Sequence, residues 1–389
     1  MNAHHPRVGW FELFYDLVMV AAVIHGSDLF AERPTFANGF WLAVTLLILS
    51  ILWLLTVVTF NAMREDWGLR RILVLAQMLA VVIASLATSR DGGLSDTVGF
   101  LALAAAFGTA AGVYALLARR ATFDAGSLRV VALTTGGSAV VLVAGSIFSS
   151  QPVALAPGLC LGIALGLALL PLFSVLLGRA CSSGWLDREH LGERMGQLVI
   201  IVLGESFVRL VLALHREEEI PSPIFLVLTF VVVYCLWVVY FRGVLPAGVP
   251  RTAGRLRTWL AAHYLFMLGA IGAASGLAAL TLEPLDLAVP ETAPYRTALP
   301  LIYAMTALAL LAWLGRERTG PEYRVHLTAA ALLLLTVLAG VTVVPASDWT
   351  TSIACVIVIG DAIAVSWLRR RQHHAHGSGR GMADAALQS

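Results

Sequence analysis

The stretch Trp10–Phe30, WFELFYDLVMVAAVIHGSDLF, decides how the rest of the chain is read. It is long and apolar enough for a membrane-crossing helix, which needs about 20 such residues. Yet it carries Glu12, Asp16, His25 and Asp28. An ionisable group at the centre of a membrane helix costs about 2.5–3.5 kcal/mol on insertion scales, and it persists where it is paired or faces water. The stretch does not read as a secretory leader, because it lacks a basic opening and a small-residue cleavage pattern and contains carboxylates.

Composition places the whole chain in the same solvent. Of 389 residues 59% are hydrophobic and only 13% charged, against about a quarter charged in soluble proteins. The deficit points to lipid. The four cysteines, Cys160, Cys181, Cys235 and Cys355, are scattered without ligand spacing, so neither a disulfide framework nor a metal site is expected. The net charge is +2 with no basic domain, which excludes a nucleic-acid grip. All 26 basic residues are arginine, a codon bias toward GC rather than a chemical feature.

Measured against the length of a span, the chain is expected to be all-α, a polytopic transmembrane helical bundle of about twelve spans. They lie near 10–30, 38–62, 70–88, 95–118, 128–149, 153–178, 190–214, 222–243, 255–281, 297–315, 323–344 and 350–368. Arginine alternates with them. The N-terminus, the even-numbered loops and the C-terminal tail hold 21, the odd-numbered loops hold Arg33, Arg90, Arg216 and Arg296, and Arg209 lies within a span. The positive-inside rule then puts both termini in the cytoplasm. ELFYDLVMV from Glu12 aligns with ERMGQLVII from Glu193, and LRRIL from Leu69 with LRTWL from Leu256. These matches suggest a parallel six-plus-six repeat, with halves at 1–178 and 179–369 and a disordered cytoplasmic tail at 370–389. Glycines four apart, at 108 and 112, at 158, 162 and 166, and at 272 and 276, read as packing within the bundle. His373, His374 and His376 read as incidental to the tail.

Candidate site residues are the charges inside spans. In HLGERMGQLVIIVLGESFVRLVL the seventh span carries Glu205, past the midplane, and Arg209 one turn on; at that spacing the two can pair along one helix. In the first span Glu12 and Asp16 share a face, where like charges share a proton or hold an arginine between them. Arg194, beside Glu193 at the entrance of the seventh span, is the candidate partner. The expectation is that Asp16 and Glu205 line a common polar cavity. His263, Gln77, His326 and Asp361 are weaker candidates; of these Asp361, alone in VIVIGDAIAV, most needs a donor.

The two charged stretches resemble the bacterial low temperature requirement A family. Its E-L-F-F-D-L-V-F-V signature is matched here by Glu12, Leu13, Phe14, Asp16, Leu17 and Val18. Its E-R-x-G-x-x-x-I-x-x-L-G-E-S signature is matched by Glu193, Arg194, Gly196, Leu203, Gly204, Glu205 and Ser206. His263 with Gly269 is similar to a third, looser motif, but Leu277 stands where a glutamate is usual. The resemblance reaches from the first span to about the ninth. It implies a polytopic membrane protein whose family name refers to growth in the cold rather than to a reaction.

Three function classes follow. The leading expectation is a transporter of a small molecule or ion, with proton coupling as an option and without cofactor, using Asp16, Glu205, Arg209, Glu12, Glu193, Arg194 and His263. The alternative is an integral-membrane enzyme acting on a lipid or polyprenyl substrate, although no HExxH, phosphate loop or nucleophile elbow occurs. A non-catalytic sensor or subunit ranks third. The lipid bilayer is the one partner expected in every case.

Overall fold

The structure, a computed structural model, describes residues 9–32, 35–62, 68–87, 97–120, 124–149, 155–183, 186–214, 223–282, 293–314, 322–342 and 348–386; the side chains of Asp28 and Arg209 are outside the described part. Among the described residues every regular element is a helix. In order these are α1 (Trp10–Glu32), α2 (Phe36–Ala62), α3 (Gly68–Leu86), α4 (Thr97–Arg120), α5 (Ala125–Phe148) and α6 (Leu155–Pro171). A π-helical turn, Leu172–Leu176, then leads into α7 (Leu177–Ser183). They continue with α8 (Arg188–Leu214) and α9 (Pro223–Val239), which ends in a π-helical turn, Tyr240–Val244. The last are α10 (Ala253–Leu282), α11 (Ala293–Leu314), α12 (Glu322–Thr342) and α13 (Asp348–Ala386).

Nine helices among the described residues are long and apolar enough to cross a membrane, fewer than the twelve or so spans expected. Outside the nine are α12, apolar only over Tyr323–Ala339, and the charge-bearing α1 and α8. The helix α13 runs on to Ala386, across the stretch from residue 370 that was expected to be disordered. Packing groups the chain into two compact units. One comprises residues 1–209 and 249–264, the other 210–248 and 265–389.

In the first unit α2 is the core. From Ile51 to Asn61 every residue is buried, as expected of a helix that is apolar all round. The neighbouring α3 is turned inside out relative to a helix of a water-soluble protein. Leu69, Ile72, Leu75, Leu79, Ile83 and Leu86 are exposed, while Arg70 and Gln77 are buried beside Val74, Met78 and Val81. An exposed apolar stripe of that length suits a lipid surround and would be a liability in water. Gln77 Oε1 accepts from the hydroxyl of Thr56 on α2 at 2.9 Å. The amide oxygen is thereby satisfied within protein, while Gln77 Nε2 is buried with no hydrogen-bond partner among the described residues.

In the second unit α11 takes the central role, with Leu301, Ala304, Met305, Ala307, Leu308 and Leu311 wholly buried. It meets α10 at Gly269, where a Cβ would stand 2.5 Å from both Pro300 O and Ala304 N. Only glycine fits so close a backbone crossing. The other glycine rows behave differently: Gly158, Gly162 and Gly166 have nothing within 4 Å of a Cβ among the described residues, and Gly112 makes ordinary contact with Leu73.

Candidate functional site

The first unit gathers four ionisable side chains from α1 and α8 into one cluster. Arg194 is wholly buried and lies between the two carboxylates of α1. Its Nη2 donates to Asp16 Oδ1 at 2.7 Å and its Nη1 to Glu12 Oε2 at 3.1 Å. The four-residue spacing that sets Glu12 and Asp16 on one helical face gives a planar guanidinium two acceptors at once. Trp53 Nε1, from α2, donates to the same Oδ1 at 2.7 Å. Asp16 Oδ2 is buried with no hydrogen-bond partner among the described residues. His190, one turn before Arg194 on α8, brings Nε2 within 3.2 Å of Glu12 Oε2.

The cluster is sealed at one end and open at the other. Asp16 and Arg194 side chains are 0% exposed, His190 11% and Glu12 17%. With imidazole neutral its formal charge is −1: two carboxylates against one guanidinium. Buried carboxylates and guanidinium gain much from each other's field but lose hydration, so a single added proton would bring the cluster to neutrality.

Its surroundings are held by polar contacts that leave little slack. The Tyr15 hydroxyl donates to Leu52 O at 3.2 Å and to Thr56 Oγ1 at 3.1 Å. At the entrance of α8, Asn61 grips the backbone of Asp187 on both sides. Its Nδ2 donates to Asp187 O at 2.7 Å, and its Oδ1 accepts from Asp187 N at 2.6 Å. Asp187 Oδ1 in turn accepts from His190 N at 3.1 Å, capping the helix that carries Arg194. Farther along α1, a cavity of about 30 Å³ lies between Ala22, Thr45, Ser85 and apolar neighbours, room for about one water molecule.

The other expected residues stand apart from the cluster. Glu193 is exposed, turned away from its buried neighbour Arg194. Glu205 is buried, but eleven residues beyond Arg194, about 16 Å along the helix at 1.5 Å per residue. The ion pair of Asp16 is thus with Arg194, and the described contacts give no shared cavity with Glu205. The side chain of Arg209 lies outside the described residues, and with it the expected pairing to Glu205. His263 is buried, its Nδ1 2.8 Å from Trp259 O within its own helix and its ring 4.0 Å from that of Trp259. His25 is half-buried.

Sequence reasoning overlooked His190, Trp53 and Asn61. A signal existed for His190, which stands four residues before Arg194 and therefore on the same face. Trp53 and Asn61 carry no local signal beyond a polar group inside an apolar run. No group of His, Cys, Asp or Glu among the described residues is arranged to hold a metal ion.

Comparison with protein families matches residues 7–361 to the bacterial low temperature requirement A protein (LtrA), and the chain belongs to that family. No curated protein matches it significantly.

Proposed function

We propose that this chain is a proton-coupled transporter of the bacterial cytoplasmic membrane, with the Glu12–Asp16–His190–Arg194 cluster as its proton-binding site. The observation that carries the reading is the pairing of a sealed end with an open one. Asp16 is wholly buried with one oxygen unpartnered among the described residues, while Glu12 and His190 reach the surface. Proton entry at the exposed end neutralises the cluster and releases Arg194 from one carboxylate; proton loss restores the clamp. A group whose partners change with its charge is what coupling requires. Glu205 adds a buried carboxylate on α8, farther along its length.

The finer architecture belongs to the same proposal: about twelve spans in two parallel six-span halves, with α1 and α8 opening corresponding halves and both termini cytoplasmic. The arginine alternation supports the orientation. The matched openings at Glu12 and Glu193 support the repeat.

The test is uptake in proteoliposomes carrying an entrapped pH dye, with pools of amino acids, sugars and organic cations as probes. The expected result is that one pool drives dye-detected proton movement that Asp16→Asn abolishes and Glu193→Gln leaves intact. If no pool moves protons in a folded protein, or Asp16→Asn transports as well as the parent, the reading fails. A second reading is favoured by the exposure of the Glu12–His190 end, where an enzyme acting on a lipid headgroup would present its acid and base. A lipid product lost in Glu12→Gln would establish that reading instead.

A further inference from the structure

In the second unit, α12 and α13 meet at a buried ionisable pair remote in sequence from both family signatures. His326 Nδ1 stands 3.0 Å from Asp361 Oδ1 and 2.8 Å from Oδ2. Both side chains are 0% exposed. His326 Nε2 is also buried, and it has no hydrogen-bond partner among the described residues. We propose that His326 and Asp361 form a second proton-binding site, in which one proton beyond that on Nδ1 is held by the pair.

The geometry fixes the proton count. Both carboxylate oxygens face Nδ1, so Nδ1 carries a hydrogen whenever Asp361 is ionised. With a bare Nε2 the pair then has a charge of −1. With a further proton, as imidazolium and carboxylate or as imidazole and carboxylic acid, it is neutral. Burying an uncompensated charge is costly and a neutral hydrogen-bonded pair much less so.

Among the described residues no neighbour supplies the missing cation. Helix α9 contains no arginine and contributes Tyr234 and the buried thiol of Cys235; its π-helical turn adds the buried phenol of Tyr240 and Arg242, which is exposed. Helix α11 contributes Tyr303 and Thr297, the latter 3.1 Å from Thr351, while the side chain of its Arg296 lies outside the described residues. On α13 itself, Cys355 is a buried thiol and Arg369 donates to Gly243 O at 2.9 Å. On α12, Arg324 is exposed and lies over the Tyr323 ring. The proton enters or leaves at Nε2, since Nδ1 is covered by the carboxylate. Imidazole, carboxylate and one proton become imidazolium and carboxylate, with no other reactant needed. Its presence ties α12 to α13, and its loss leaves an unmatched carboxylate between them.

This site is independent of the transport reading, which draws on the first unit alone, and its test involves no flux. The full chain is labelled with nitrogen-15 histidine and carbon-13 aspartate and placed in phosphatidylethanolamine–phosphatidylglycerol vesicles. Solid-state NMR near neutral pH then counts protons on the His326 ring and the Asp361 carboxyl, whose signals are identified by their loss in His326→Gln and Asp361→Asn. The expected result is two protons on the pair, and a neutral His326 with one bare nitrogen in Asp361→Asn. A single proton on the wild-type pair, with Nε2 bare and the carboxyl ionised, overturns the proposal. So does an imidazolium that persists unchanged in Asp361→Asn. If that variant fails to fold, the wild-type count alone decides.

Discussion

The cluster at Arg194 and the pair at His326 solve the same problem with different chemistry. In the first unit a permanent cation sits between two carboxylates and leaves one negative charge over, near an exposed edge. In the second, among the described residues, no permanent cation reaches the carboxylate, and a titratable ring stands in its place, with both side chains fully buried. A guanidinium holds its charge whatever the surroundings, so the first site keeps its cation and varies its total charge through its carboxylates. An imidazole can give up its charge, so the second site can match its total charge to its surroundings. The difference predicts that the first site tolerates loss of its cation far less well than the second.

The largest effect is therefore expected from Arg194→Leu. It strands Glu12 and Asp16 four residues apart with no cation, and thermal unfolding in detergent should show a loss of about 3–5 kcal/mol, the range for breaking a buried ion pair. A loss below about 1 kcal/mol would mean the carboxylates are hydrated, and the contrast would collapse. Next comes His326→Leu, which leaves Asp361 free to take up a proton and become neutral; the expected loss is about 1–3 kcal/mol, the cost of one unsatisfied buried group. The double replacement His326→Leu with Asp361→Leu sharpens the point. Removing both partners should bring stability back to within about 1 kcal/mol of the parent, measured by the same unfolding. Smallest of all is Glu193→Gln: an exposed carboxylate outside the cluster should change stability by less than about 0.5 kcal/mol. A larger loss would place Glu193 within the site.

The all-helical, lipid-facing character of the chain was legible from length and apolar patterning alone, because a span is set by local composition. The neighbours Glu12, Asp16 and Arg194 were legible for a different reason. Two like charges on one face require a counter-charge, and the arginine nearest a matching helix entrance was the available one. Distance along α8 was not legible in the sequence. Asp16 and Glu205 were expected around one cavity, but the level at which α1 meets α8 depends on tertiary packing, and it places Asp16 beside Arg194. Among the described residues α1 and α8 fall outside the nine apolar helices because they interrupt their apolar runs with the very charges that form the cluster. Asp361 announced its need for a donor, yet nothing near it in sequence names His326, which is 35 residues away.

The grip of Asn61 on Asp187 has a mechanical consequence. Two short bonds to the backbone of one residue act as a rivet rather than a hinge: the end of α2 and the start of α8 travel together, carrying Arg194 with them. Any swing within α8 has to originate beyond the riveted end. Gly204 offers room for it, since among the described residues nothing lies within 4 Å of where its Cβ would be. The long helix is thereby divided into a fixed stub that bears the clamp on Asp16 and a freer arm that begins beside Glu205.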